Sequence, residues 1–175
     1  MVDSPTNNFC TMNPLDSHPY QVKSEGNLKN TVSNIGWHTG RSTFYVDSGK
    51  HYWEAVVSGG NIANFMGVDS YSHVVTGAAQ AVGFLAPSWS FYNNNGNTYD
   101  SGTATNLTTA SSIGDIIMIA LDLDNGKIWF GRNGTWLGSS SDPAAGTGAR
   151  YTNLSGYSMS PAFSLYHVGS TTIAN

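Results

Sequence analysis

The carboxylates are the side chains of this sequence that could catalyse hydrolysis, and the best-placed pair is Asp122 and Asp124. They share one face of a predicted strand, and cleavage of a glycosidic bond needs such a pair, one as acid and one as nucleophile or base. Both, however, flank Asn125-Gly126, which is turn chemistry that commonly recruits aspartate. The two glutamates, Glu25 and Glu54, form no E-x-D-x-x-E run. We therefore interpret the aspartates as turn residues and expect a protein that is not an enzyme.

The sequence also lacks the signatures of metal, nucleotide and covalent-catalysis sites. Asp122-x-Asp124-x-Gly126 begins like a calcium loop, but a glycine stands at the third ligand position and no bidentate glutamate follows. The five histidines show no zinc-site spacing, and the single cysteine, Cys10, has no partner for a disulfide or a C-x-x-C centre. No G-x-S-x-G elbow, P-loop or G-x-G-x-x-G fingerprint occurs. We expect no metal and no cofactor.

Charged side chains are scarce, and this limits the partners that the chain can have. Of 175 residues, 7 are Lys or Arg and 11 are Asp or Glu, so the formal net charge is −4 and charged residues make up 10%, against an average of about 25%. Neutralising nucleic-acid phosphates needs a basic stripe, and binding an anionic membrane surface needs a polybasic segment. No run of about 18 apolar residues is present. The sequence predicts no nucleic-acid binding and no membrane insertion.

Aromatic residues near predicted turns indicate noncovalent recognition instead. Trp89, Tyr92 and Tyr99 flank the turn 93–96, which has the sequence Asn-Asn-Asn-Gly. Aromatic faces stack on sugars and anchor protein partners, and the Asn94 amide both donates and accepts hydrogen bonds. We predict a ligand site formed by Trp89, Tyr92, Asn94 and Tyr99 at an edge of the fold. The alternative is that this hairpin only closes over the end of the core.

The elements that must position these residues are short strands joined by polar turns. In 51–57 the side chains alternate, which places Trp53, Ala55 and Val57 on one face. The apolar run 116–123 is typical of a central strand covered on both faces. The sequence predicts an all-β fold, an antiparallel β-sandwich with almost no helix.

A hairpin follows this central strand. Asn125-Gly126 favours a two-residue type I′ turn, and counting back from it pairs Leu123 with Ile128 and Leu121 with Phe130. All four then fall on one face, which we predict as the core face. A second Asn-Gly turn extends the hairpin into a three-stranded meander.

The chain divides into two predicted segments. Residues 1–25 hold Pro5, Pro14 and Pro19 among Asn, Ser and Thr, and are predicted as an extended lead-in segment. Residues 26–175 are predicted to form the sandwich. Because 171–175 has the composition of the middle of a strand, we expect the sandwich to be cut short at its C-terminus.

Five sequence segments together resemble the SPRY domain family. The segments are Gly49–Glu54, Asn64–Val68, Gly114–Ile117, Leu121–Phe130 and Arg132–Gly134. Their order and spacing match the family from about residue 26 to the end of the chain, and the combination is far more specific than any one of them. The resemblance implies a concanavalin A-like jelly roll of two antiparallel sheets. It also implies binding of peptides or proteins through loops at one edge, without catalysis.

The lead-in residues 3–15 and the loop 138–148 look like SPRY-type modules in structural proteins of tailed bacteriophages. This resemblance implies a non-catalytic binding or structural module in a virion, as part of a tail, fibre or capsid surface. Expected partners are other virion proteins or a host-surface protein or glycan, and a homo-oligomer is compatible with that role. Two alternatives stay open: a cytoplasmic SPRY adaptor that binds a peptide, and a lectin-like carbohydrate-binding domain.

Overall fold

The computed structural model describes residues 10–72, 74–75 and 80–174, which form fourteen β-strands. Among these residues, no helix is long and apolar enough to cross a membrane. The strands are β1 (Met12–Ser17), β2 (Gln21–Ser24), β3 (Lys29–Val32), β4 (His38–Ser42), β5 (Lys50–Gly59), β6 (Asn64–Ser70), β7 (Ser88–Tyr92), β8 (Asn97–Asp100), β9 (Thr103–Asn106), β10 (Ile116–Asp122), β11 (Lys127–Arg132), β12 (Thr135–Trp136), β13 (Met159–Leu165) and β14 (Thr171–Ala174).

The strands form two seven-stranded sheets that stack face to face. Sheet I has the order β1-β4-β13-β6-β7-β8-β9, and sheet II has the order β12-β11-β10-β5-β14-β3-β2. Neighbouring strands in both sheets are antiparallel. The predicted all-β antiparallel sandwich is confirmed.

The main core lies between the sheets and is built from alternate residues of their strands. Met66 and Val68 of β6 meet Ile117 and Ile119 of β10, and all four are 0% exposed. Successive side chains of a strand point to opposite faces, so the residues between them point away from this core. Burying each such side chain contributes about 1.5–3 kcal/mol.

The β10–β11 hairpin has the predicted core face but a different register. Leu121 pairs with Ile128 and Ile119 pairs with Phe130, which is two residues away from the predicted pairing. A shift of two residues preserves the face, because the side-chain period of a strand is two. Leu121, Ile128 and Phe130 therefore still lie in the core between the sheets.

The turn of this hairpin explains the shift. The Asp122 carboxylate accepts hydrogen bonds from the backbone N–H of Asn125 at 3.1 Å and from its side-chain amide at 3.0 Å. The β10–β11 ladder ends at the pair Asp122 and Lys127, so Leu123 lies in the turn, where its N–H donates to the Gly49 carbonyl at 3.0 Å. A type I′ turn needs positive φ at both central residues, but φ is positive only at Gly126. The turn is a four-residue loop, and the predicted two-residue turn is wrong.

The next turn has the predicted geometry. Asn133 and Gly134 have φ values of 51° and 81° and connect the paired residues Arg132 and Thr135. Positive φ at both positions is the mark of a two-residue type I′ turn, which matches the twist of the strands. The three-stranded meander β10-β11-β12 follows.

Residues 12–24, which we call the N-terminal strap, connect the two sheets. β1 pairs with β4 at one edge of sheet I, and β2 pairs with β3 at one edge of sheet II. The Gln21 side-chain amide donates to the carbonyls of His38 at 2.7 Å and Phe163 at 3.0 Å, both in sheet I. The boundary at residue 26 and the C-terminal truncation stay predictions, and residues 1–9 of the predicted lead-in lie outside the described residues.

We predict that Gly67→Ala destabilises the sandwich. A Cβ at Gly67 would lie 2.0 Å from the Trp89 carbonyl oxygen and 2.6 Å from Ser90 Cα, so β6 and β7 would have to separate. Overpacking costs about 1–3 kcal/mol, and more where backbone must move. The matched control is Gly59→Ala, because a Cβ there would come no nearer than 3.8 Å to its neighbours. The urea midpoint should fall for Gly67→Ala only; equal midpoints would contradict this packing argument.

Candidate functional site

Aromatic side chains cover part of the outer face of sheet I. Since Met66 points into the main core, Phe65, which directly precedes it in β6, points outward, where it is 1% exposed beneath other rings. With Ala81, Val82 and Ala162 it forms a second, smaller core. Half-buried or exposed rings lie around it, and we call them the aromatic surface: Trp37, Phe84, Tyr92, Tyr99 and Tyr166.

Ring contacts make this surface continuous. Tyr92 stacks on Phe65 with centroids 4.2 Å apart, and Tyr99 meets Phe65 edge-on at 5.1 Å. Trp37 contacts Phe65 at 4.8 Å and Tyr166 at 4.9 Å. Aromatic pairs contribute about 0.5–1.5 kcal/mol beyond their buried area, so the rings hold one another in place.

The loop between β6 and β7 adds Phe84 to the surface. The Val82 N–H donates to Ser164 Oγ at 2.9 Å, and Ser90 Oγ donates to the Val82 carbonyl at 2.7 Å. These bonds tie the loop to the outer face of sheet I. Phe84 then stacks on Tyr99 at 5.2 Å and stays 37% exposed.

The five side chains of the aromatic surface carry no formal charge at neutral pH. Burial raises the pKa of Tyr92, opposed by a hydrogen bond with the Asn94 side chain and reinforced by Tyr99. The Tyr92 hydroxyl therefore stays protonated and neutral. The surface offers apolar stacking area and hydrogen-bonding groups without the cost of desolvating a charge.

The structure brings three of the four predicted site residues together. Tyr92 and Tyr99 have ring centroids 6.2 Å apart, and exposed Asn94 interacts with Tyr92. Trp89 instead lies in the core between the sheets, 2% exposed, with its indole N–H donating to Asn153 Oδ1 at 3.1 Å. Trp89 does not face the aromatic surface. Ligand binding by the predicted set stays a prediction.

Trp37, Phe84 and Tyr166 belong to the surface but are not among the predicted site residues. Trp37 comes just before β4 and Tyr166 just after β13, and these strands pair with His38 opposite Leu165. The pairing places the two aromatic residues side by side. A single sequence does not reveal this neighbourhood, because Trp37 and Tyr166 are far apart in the chain and the strand order is not visible in it.

The carboxylates considered for catalysis serve turns. Burial would raise the pKa of Asp122, but hydrogen bonds from Asn125 and the Lys50 ammonium hold this pKa below its ordinary value. Asp124 accepts a hydrogen bond from the Gly49 N–H at 2.8 Å. A carboxyl that stays ionised is a poor general acid near neutral pH. Within residues 10–72, 74–75 and 80–174, no group of three or more His, Cys, Asp or Glu side chains is placed to hold a metal ion.

Family comparison agrees with this architecture. The SPRY domain model matches residues 17–174. Because this covers most of the sequence, the chain belongs to the SPRY domain family. SPRY domains are typically protein-binding modules and are generally non-catalytic.

Solved structures share the fold at low sequence identity. The SPRY domain of human HERC1 aligns with a TM-score of 0.73 and 20% identity, over 93% of this chain and 96% of that chain. The TRIM65 PSpry domain aligns with a TM-score of 0.71 and 16% identity, over 95% and 91%. Stonustoxin aligns with a TM-score of 0.68 and 23% identity, over 95% of this chain and 27% of that one. A sequence comparison with curated proteins finds no match.

We predict very different effects on stability for substitutions at two of the expected site residues. Trp89→Ala should lower the free energy of unfolding by about 3–5 kcal/mol, because it empties a large volume of the core. Asn94→Ala should change it by no more than about 0.5 kcal/mol, since the side chain is exposed. Urea unfolding followed by circular dichroism measures both. A Trp89→Ala variant as stable as the parent would contradict the core assignment.

Proposed function

We propose that this SPRY domain is a non-catalytic module that binds a protein partner through its aromatic surface. The continuity of the five rings over a buried second core carries the proposal. Such a site presents apolar area that loses little side-chain freedom on binding, because its rings already pack on Phe65 and one another. Tyr and Trp are also the residues that most often dominate binding energy at protein interfaces.

The chemistry of the surface favours an uncharged peptide segment. The five rings supply no charge to pair with an acidic or basic partner, so affinity must come from stacking and neutral hydrogen bonds. A small cavity on the same face is lined in part by Val74, Val82 and Leu85 and also by Asp69, whose carboxylate pairs with Arg41, so we expect it to take an apolar side chain of the partner. Leu85 adjoins Phe84 in sequence, which links the cavity to the rings.

A glycan ligand is the second candidate, favoured by one contact. Asn94 lies in an exposed turn and interacts with Tyr92, so an amide and a phenol adjoin on one surface. Sugars use such pairs, with the ring as a stacking face and the amide as a hydrogen-bonding group for hydroxyls. The two candidates differ in the residues they need, because a glycan depends most on Tyr92 and Asn94.

We also propose a virion location, as a module of a phage tail, fibre or capsid surface, with the cytoplasm as the rival location. The support is the resemblance of 3–15 and 138–148 to modules in structural proteins of tailed phages. Peptide mass spectrometry of purified particles should recover this sequence in a particle protein. Recovery only from the soluble cell extract would favour the adaptor alternative. Assembly into a homo-oligomer stays a prediction.

We predict that peptides selected on the immobilised domain from a random twelve-residue display library need the aromatic surface. Phe84→Ala should weaken binding of a selected peptide at least about tenfold, because truncating an interface anchor costs more than about 1 kcal/mol. Isothermal titration calorimetry measures the change. Tyr52→Ala is the matched control, since Tyr52 is an exposed aromatic residue, 52% accessible, on sheet II.

The proposal fails if selected peptides bind Phe84→Ala and the parent equally, or if Tyr52→Ala weakens them as much. A glycan array probed with the same proteins tests the second candidate, a glycan ligand. Glycan binding that is lost in the Tyr92→Ala, Asn94→Ala double variant would favour the lectin-like alternative. Melting temperatures of all variants separate loss of a contact from loss of the fold.

A further inference from the structure

The N-terminal strap is built from edge strands, so its release would leave the central strands of both sheets paired, although it would uncover Met12, which is 1% exposed in the main core. Among the described strands, β1 pairs only with β4 in sheet I, and β2 pairs only with β3 in sheet II. The ladder between β1 and β4 is interrupted between its two paired positions, Met12 with Ser42 and Ser17 with Gly40. The strap is held to sheet II by the continuous β2–β3 ladder, and to sheet I by this interrupted ladder and the side-chain hydrogen bonds of Gln21.

Two histidines meet where the strap turns from one sheet to the other. His18 of the strap and His38 of β4 have ring centroids 4.2 Å apart, and Tyr20 packs on both, at 5.3 Å and 5.2 Å. His38 is 4% exposed, and neither of its ring nitrogens has a hydrogen-bond partner of ordinary geometry. A proton added to His38 would place a charge in a buried ring, against the half-buried ring of His18.

A lysine of the same strap points into the space between the sheets. Lys23 shares a strand face with Gln21, whose amide bonds to sheet I, and Lys23 Nζ donates to Gln21 Oε1. A Cβ at Gly40 would lie 3.0 Å from Lys23 Nζ, which places the ammonium against sheet I. Among the described residues, no carboxylate forms an ion pair with Lys23.

The charged groups around the strap do not compensate these three bases. Arg41 of β4 points to the outer face of sheet I, where it contacts Asp16 of the strap at 3.0 Å and Asp69 at 3.4 Å. Lys29 of β3 pairs with Glu25 at 2.9 Å beyond the end of β2. The neighbours on the inner side are uncharged: Phe163 and Leu165 of β13, Asn30 of β3 and Thr172 of β14.

We infer that the N-terminal strap is a pH-sensitive element, closed on the sandwich when His18, His38 and Lys23 are neutral and released when they take up protons. When the strap is released, His18 and Lys23 on the strap and His38 on β4 all regain water and protonate freely. The closed strap must either keep them neutral or bury uncompensated charge. Acid therefore favours release.

The direction in which pH changes closure of the strap follows from the pKa shifts of the three groups. Burial lowers the pKa of Lys23 from 10.5 to about 7, so the released strap binds the extra proton between those values and closure weakens as pH falls through that range. Burial lowers the pKa of His18, and burial together with His18 lowers that of His38, despite an opposing interaction with the Asn34 backbone. Below about pH 6.5, the ordinary histidine value, the histidines weaken closure further.

Hydrogen exchange read by mass spectrometry tests this on the whole chain. After correction for intrinsic exchange rates, amides of residues 18–24 should exchange faster at pH 5.5 than at pH 7.5. The increase should be about tenfold for each unit by which closure lowers the pKa of a group that protonates in this range. Amides of residues 117–121 in β10 should keep their protection. Unchanged exchange in 18–24, or an equal rise in 117–121, would overturn the inference.

Variants assign the effect to the named groups. His38→Phe keeps a ring but cannot protonate, so it should remove most of the response below pH 6.5, and His18→Phe should act in the same direction if His38→Phe fails to fold. Lys23→Met should flatten the change in strap exchange between pH 7 and 10. His51→Gln, which alters a histidine outside the strap, is the control. A response that survives in both histidine variants contradicts the inference.

Discussion

The period-two alternation of side chains along each strand is the constraint on which the rest of the structure depends. Once Trp89 and Phe91 enter the core between the sheets, Ser88, Ser90 and Tyr92 must point to the outer face of sheet I. The same rule sends Phe65 outward, because its neighbour Met66 enters the core between the sheets. The burial that stabilises the sandwich thus determines which aromatic residues are left to form a surface, and it separates Trp89 from Tyr92 although only three positions divide them.

An outward aromatic ring on a sheet needs a cover or a partner, and sheet I supplies both. Phe65 is covered by neighbouring rings and by the loop before β7, whose Val82 bonds to sheet serines through its N–H and its carbonyl. Among the described residues, the rings that cover Phe65 stay accessible: Phe84 is 37% exposed, and Trp37, Tyr92 and Tyr99 are half-buried. A large apolar area that remains open after folding is the usual form of an interaction site.

The sequence predicts which face of a strand is buried better than it predicts which residues of paired strands lie opposite one another. Leu121, Ile128 and Phe130 are buried as expected because burial depends only on alternation, and a shift of two residues leaves alternation unchanged. The register depends on the turn, where the Asp122 carboxylate competes for the backbone of Asn125, and dipeptide preference alone does not contain that competition. The site is predicted in part for the same reason: local neighbours such as Tyr92 and Asn94 are visible, whereas Trp37 and Tyr166 meet only through strand order.

The scarcity of charge gives the few buried ionisable groups unusual weight. Arg41 is compensated by Asp16 and Asp69, so this cluster binds the strap to sheet I with paired charges. On the inner side, Lys23 of the strap and His38 of β4 have no such partners among the described residues, in surroundings where a lone charge is costly. Ion pairs of Arg41 therefore stabilise the closed strap on its outer side, whereas protonation of Lys23 and His38 would destabilise it on its inner side. Because the five rings of the aromatic surface carry no charge, we expect the proposed partner binding there to be largely independent of the titrations proposed for the strap.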